Sequence, residues 1–199
     1  MPENRSLANL LDKKKLILAS SSPRRAQILT REKVGFEIKI PKSYKEENIF
    51  SDPVTHVLEL SKKKAQSVAD EVEDGIILGA DTIVVLDDEI LGKPKNKEDA
   101  LFILKRLSGR MHQVYTGITL INKSTGKMIS DYNVTKVKFN QLDEQKVLNY
   151  VATGEPMDKA GAYGIQGMGS FLVEHIEGSL DNVIGLPTEK LQKMLSQMG

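Results

Sequence analysis

Two hydrophobic periods alternate along this chain, one suited to strands and one to helices. The apolar run Leu16 to Ala19 has the length of a short buried strand. Ser22 and Pro23 follow as N-cap and first helical residue, with Ala26, Gln27, Ile28 and Leu29 continuing the turn. Gly35 to Ile40, with Phe36, Ile38 and Ile40 at every second position, predicts another strand before a polar segment from Pro41 to Pro53. Val54, Val57, Leu58, Leu60, Ala65, Val68 and Ala69 recur at helical spacing and predict an amphipathic helix over Val54 to Val72, broken at Asp74-Gly75. Ile76 to Ala80 reads as a buried strand, and Thr82 to Leu86 as a second short one turning at Asp87-Asp88. A helix over Lys97 to Leu107 ends at Ser108-Gly109. Val114 to Asn122 and Lys127 to Phe139 predict antiparallel strands about the Lys123–Gly126 turn. Helices over Asp143 to Ala152, capped by Asp143, and over Thr188 to Met198 complete the pattern.

Crossovers and hairpins are both present, which predicts an α/β fold with a mixed sheet. At 199 residues the chain can bury one sizeable core but not two large domains. Its 28 Lys and Arg nearly balance 27 Asp and Glu, so no global charge points to nucleic acid or an acidic membrane. Any phosphate binding must come from local clustering. The absence of cysteine excludes disulfides, zinc-thiolate sites and thiol nucleophiles. No apolar run approaches the roughly 20 residues of a membrane helix, and Met1 to Lys15 lacks a signal peptide's apolar stretch, so a cytoplasmic protein is expected.

The candidate chemistry starts where the first strand meets its helix, at Ser20-Ser21-Ser22-Pro23-Arg24-Arg25. The helix dipole disfavours cations in a first turn, so two arginines there fit a site whose anionic ligand sits on the same backbone amides. Ser20, Ser22, Arg24 and Arg25 would then form a phosphate cradle; the alternative is an ordinary Ser-Pro cap followed by solvated arginines. Asp81 follows Gly79 and Ala80, whose small size leaves room for a ligand. It reads as a catalytic base, a metal ligand or a turn cap. Lys93, between Gly92 and Pro94, has a restricted backbone and reads as a directed cation or an exposed loop lysine. Gly161, Gly164 and Gly167 make an irregular segment that a planar base could approach, and Gln166 within it offers both a donor and an acceptor. The alternative is a structural Gly-rich turn. His56, His112 and His175 read as surface or packing residues.

These blocks carry a resemblance. A strand ending in Ala19-Ser20-Ser21-Ser22-Pro23-Arg24-Arg25 is similar to the Maf family of nucleoside triphosphate pyrophosphatases. So are Gly79-Ala80-Asp81-Thr82 with Gly92-Lys93-Pro94, the stretch Glu155 to Gly167, and the closing Asn182-Val183-Ile184-Gly185-Leu186-Pro187. The match covers residues 16–199 as a single domain and leaves 1–15 as an N-terminal extension. It implies an elongated, twisted mixed sheet flanked by helices, with two lobes around a cleft, as in Maf and inosine-triphosphatase-like proteins. It implies Asp81 as the catalytic residue and Arg24, Arg25, Lys64 and Lys93 as phosphate contacts. It places specificity at Arg24, Thr82 and Gln166. Glu46 and Asp81 would hold a divalent metal, Mg²⁺ or Mn²⁺, although this chain has Lys45 where the family's loop commonly reads an acidic residue. Met157 to Gly167 is similar to the branch that hydrolyses dTTP and UTP. The expectation is therefore a homodimeric enzyme acting on nucleoside triphosphates, with no nucleic-acid or membrane partner. A 7-methyl-GTP pyrophosphatase and a nucleotide-binding regulator of septum formation are the alternatives.

Overall fold

In the computed structural model, residues 6–11, 14–42 and 52–198 are described; Glu46, and with it the expected metal role of that loop, lies outside them. A short helix α1 (Leu7–Leu10) precedes β1 (Leu16–Ala19), α2 (Pro23–Arg31), β2 (Phe36–Lys39) and α3 (Pro53–Ala69). Then come β3 (Ile76–Leu86), β4 (Glu89–Leu91), α4 (Lys97–Leu107), β5 (Met111–Asn122), β6 (Met128–Phe139) and α5 (Glu144–Ala152). Three 3-10 turns lead into β7 (Val173–Glu177), α6 (Leu180–Ile184) and α7 (Thr188–Ser196). The strands form one mixed sheet in the order β2-β1-β3-β5-β6-β7, with β4 also on β3. β2, β1 and β3 run parallel, and the remaining pairs are antiparallel.

The two short strands expected at 76–80 and 82–86 are a single strand. β3 keeps register with β5 from Ile76 opposite Asn122 to Val85 opposite Gln113, so Asp81 and Thr82 interrupt the hydrophobic pattern but not the backbone ladder. Asp87 and Asp88 then turn the chain with φ of 49° and 64°, the left-handed pair that a tight hairpin requires. α1 is not separate from the domain: Leu7 and Leu11 are buried in the same core as Leu16 and Leu18.

Successive side chains of a strand point to opposite faces. On one face, Ile76, Leu78 and Ala80 pack with α2 and α7, while Val84 and Leu86 pack with α4 and α5. This gives two cores along one strand, the two lobes. On the other face, Ile77 packs with Ala65 and Val68, and Ile83 and Val85 pack with Val57, all three partners on α3. β1 ends at Ala19, opposite Gly79, and β4 begins pairing at Val84. Between them, over Ala80 to Ile83, that edge of β3 carries no strand among the described residues.

Candidate active site

The cleft opens at this bare edge. It is lined by Ser20, Ser22, Arg24, Arg25, Lys64, Asp81, Thr82, Lys93 and Gln166, so every site residue expected from the sequence lies there except Glu46. Asp81 and Thr82 belong to opposite faces of β3, and only beside a missing neighbour can both reach one cavity.

Helix α3 supplies one wall because two glycines let it approach the sheet. A Cβ on Gly79 would lie 2.2 Å from the Ser61 carbonyl oxygen, and one on Gly117 would lie 2.4 Å from that of Val57. The room beside Gly79 is thus filled by a helix, not by a ligand as the sequence suggested. This approach brings Lys64 Nζ to 2.7 Å from Asp81 Oδ1, with both residues buried. Lys62 and Lys63 are exposed, so of the three consecutive lysines one turns inward. His56, two helical turns before Lys64, is also buried and places Nε2 3.9 Å from Asp81 Oδ2. Sequence reasoning missed it. The eight-residue spacing to Lys64 was the available signal.

The opposite wall is built around Arg25, which is 8% exposed. Its Nε donates to the Gly185 carbonyl at 2.9 Å, Nη1 to Ser20 Oγ at 2.9 Å and Nη2 to Thr82 Oγ1 at 3.1 Å. One guanidinium thus ties together the end of β1, the middle of β3 and the end of α6. Ser22 occupies the N-cap of α2, yet its hydroxyl makes no capping bond; its backbone N–H donates to Ser20 Oγ at 3.1 Å. The first-turn amides of α2 remain a feature an anion can use.

At the rim, Arg24 Nη1 lies 3.2 Å from Asp158 Oδ2, and Lys159 Nζ lies 2.7 Å from Asp158 Oδ1. Partial burial pulls the Asp158 carboxyl upward, but the Lys159 hydrogen bond and the Arg24 charge outweigh it and hold it below the usual carboxylate range. Asp158 and Lys159 fall within the Glu155 to Gly167 stretch, where no role was expected of either. Among the described residues, five cations and two carboxylates line the cleft, a surplus of three positive charges. That balance suits a polyanion.

Gln166 sits at the exposed mouth, on a segment fixed from below. Tyr150 accepts from the Gly164 N–H at 3.1 Å and donates to Glu155 Oε1 at 3.2 Å, while Met168 N–H donates to Glu155 Oε2 at 3.3 Å. Burial pushes the Tyr150 phenol up, which keeps it a donor. Two of the glycines here serve packing. Gly161 has φ +68° and a Cβ on it would lie 2.8 Å from Val84 Cγ2; one on Gly169 would lie 2.3 Å from the Gly164 carbonyl. Of the other histidines, His112 is buried against Phe139 and Tyr163, with Nε2 2.8 Å from the Tyr163 hydroxyl. His175 lies on β7 between Glu174 and Glu177.

No group of three or more metal-ligating side chains occurs among the described residues. Asp81, whose Oδ1 is engaged by Lys64, still offers a hard oxygen in Oδ2. One carboxylate completed by substrate phosphates is a sufficient protein contribution for Mg²⁺, so the donor set fits a divalent cation that arrives with its nucleotide.

Residues 15–198 match the family model described as Maf-like protein. Three bacterial relatives bear the name dTTP/UTP pyrophosphatase. That of Thermoanaerobacter sp. is 46% identical over 184 residues, covering 92% of this chain and 96% of the relative. That of Clostridium tetani is 48% identical over 187 residues, covering 92% and 97%. The Aquifex aeolicus protein is 47% identical over 184 residues, covering 92% and 95%. The solved structure of the Staphylococcus aureus Ham1 protein superposes with a TM-score of 0.53 at 12% identity, over 94% of this chain and 100% of the other, a likeness of fold alone.

Proposed function

The chain belongs to the Maf family, and on that premise we propose that it hydrolyses dTTP and UTP to the nucleoside monophosphate and pyrophosphate. The observation that carries this reading is the Asp81–Lys64 pair, buried at the floor of a cleft whose surplus charge is positive. Splitting the α–β anhydride needs a water in line with the leaving pyrophosphate and stabilisation of the charge that develops. Lys64 fixes Oδ1 of Asp81, leaving Oδ2 to orient the water and receive its proton. Arg24, Lys93 and Lys159 would bind phosphate oxygens from the rim, with Arg24 exchanging Asp158 for the substrate. Arg25 and Ser20 hold the cradle in shape. The alternative role for Asp81 Oδ2 is to hold Mg²⁺ or Mn²⁺, which, when bound, would offset triphosphate charge and acidify the water. Gln166 would read the imide edge of uracil or thymine, since its amide matches both a carbonyl and an N–H. A homodimer in the cytoplasm belongs to the same proposal, and light scattering tests its size.

Pyrophosphate release from dTTP, UTP, CTP, GTP and 7-methyl-GTP with Mg²⁺ or Mn²⁺ tests the activity. Selective turnover of dTTP and UTP is expected, with Asp81→Asn lowering kcat about 10²–10⁴-fold. Turnover of 7-methyl-GTP in their place would refute the pocket reading. Binding without turnover of any triphosphate would make the protein a nucleotide-binding regulator.

A further inference from the structure

Thr116 does not line the cleft, yet it governs a residue that does. It lies fully buried on β5, directly opposite Thr82 in the ladder. Its hydroxyl donates to the Asn182 carbonyl at 2.9 Å and stands 3.0 Å from the Thr82 hydroxyl. Asn182 is itself fully buried, and a buried carbonyl without a donor is strongly disfavoured. A hydroxyl has one proton. Thr116 gives its proton to Asn182, so towards Thr82 it is the acceptor and Thr82 the donor. One Thr82 lone pair already accepts from Arg25 Nη2 at 3.1 Å. Thr82 therefore meets the cleft with one lone pair and no proton.

We propose that Thr116 is a positioning residue that makes Thr82 an acceptor-only contact, so that the site selects a nucleotide presenting a hydrogen-bond donor there. The inference rests on the pyrimidine nucleotide reading above. On such a ligand the donor is a sugar hydroxyl, or else the imide N3–H of uracil or thymine, taken by Thr82 in place of Gln166. Cytosine presents a lone pair at N3 and would meet Thr82 acceptor to acceptor.

Thr116→Val removes the acceptor and lets the Thr82 hydroxyl turn its proton into the cleft; Thr116→Ser restores it. Calorimetric affinities for UMP, CMP and 3′-deoxy-UMP read the effect. In Thr116→Val, the preference of UMP over CMP, or of UMP over its 3′-deoxy analogue, falls about tenfold. Thr116→Ser keeps it. The first change identifies the base imide and the second the sugar hydroxyl. Both preferences unchanged in Thr116→Val, an equal loss in Thr116→Ser, or neither preference in the wild-type protein would overturn the inference. Thr116→Ala makes the same deletion with less bulk if the valine variant does not fold. Product binding needs no turnover, so a failure to hydrolyse dTTP and UTP would refute the activity and leave these affinities to decide Thr116.

Discussion

Replacing Gly79 by alanine tests whether the seating of α3 on the sheet sets the catalytic geometry. The new methyl would lie 2.2 Å from the Ser61 carbonyl oxygen, 2.7 Å from Ala65 N and 2.8 Å from Ala65 Cβ. A carbon and a carbonyl oxygen settle near about 3.3 Å, so α3 must retreat by about 1 Å. The obstacle is backbone, which cannot swing aside as a flexible side chain would. Overpacking of this kind costs about 1–3 kcal/mol. At roughly 2–4 °C per kcal/mol for a chain of this size, the expected fall in Tm is about 2–12 °C. The same retreat opens the 2.7 Å Lys64–Asp81 contact, and a misplacement of about 1 Å lowers kcat by about 10²-fold. Gly35→Ala is the control, because nothing lies within 4 Å of the position its Cβ would take. Thermal melts and initial rates of pyrophosphate release read both effects. A Gly79→Ala protein with wild-type Tm and kcat would refute the argument that α3 is held at its steric limit.

Burial pushes the His112 imidazole down to about 4, below the 6.5 of the unfolded chain. The unfolded state therefore takes up the proton first, and about 3 kcal/mol of stability should drain away as pH falls from about 6.5 to about 4. Urea midpoints at several pH values should show that slope in the wild type and its loss in His112→Phe. Arg25→Lys keeps the charge but not the fork that reaches Ser20, Thr82 and Gly185, and kcat/KM should fall at least about tenfold; a fully active lysine variant would show that the fork is dispensable. Tyr150→Phe deletes the bonds to Glu155 and to the Gly164 N–H, so it should raise KM severalfold with kcat little changed. An effect confined to kcat would remove Tyr150 from the support of the Gln166 segment.

That Asp81 and the two arginines share one cleft was legible because their signals are local: a strand that stops at Ala19, a proline that starts a helix, and an aspartate after Gly79-Ala80. For His56 the eight-residue spacing to Lys64 was the one signal. Its place beside Asp81 depends on how closely α3 can approach β3 and β5, which is decided by Gly79 and Gly117, far from it in the chain. β3 was divided in the sequence reading because a polar pair interrupts an apolar run, a pattern that also marks two short strands. The ladder to β5 could not be seen from β3 alone. Ser22 was placed at its helical position, but its hydroxyl makes no capping bond; the local bond is instead from the Ser22 N–H to Ser20 Oγ. β7 and α6 are five residues each, too short for either period to register.

β3 and β5 run unbroken beneath both lobes, and this continuity has a mechanical consequence. Rotating one lobe against the other would bend a two-stranded beam whose ladder is continuous across the cleft floor. Among the described residues, the β3–β5 ladder shows no break at the place where a clamshell enzyme keeps its hinge. On the function proposed above, ligand entry calls for an exchange of partners at the mouth, where Arg24 and Lys159 would release Asp158. Such side-chain motion takes nanoseconds, against the microseconds to milliseconds of domain closure. Admission to this cleft is thus expected to depend on charge and to weaken with salt, over a floor braced by the continuous ladder.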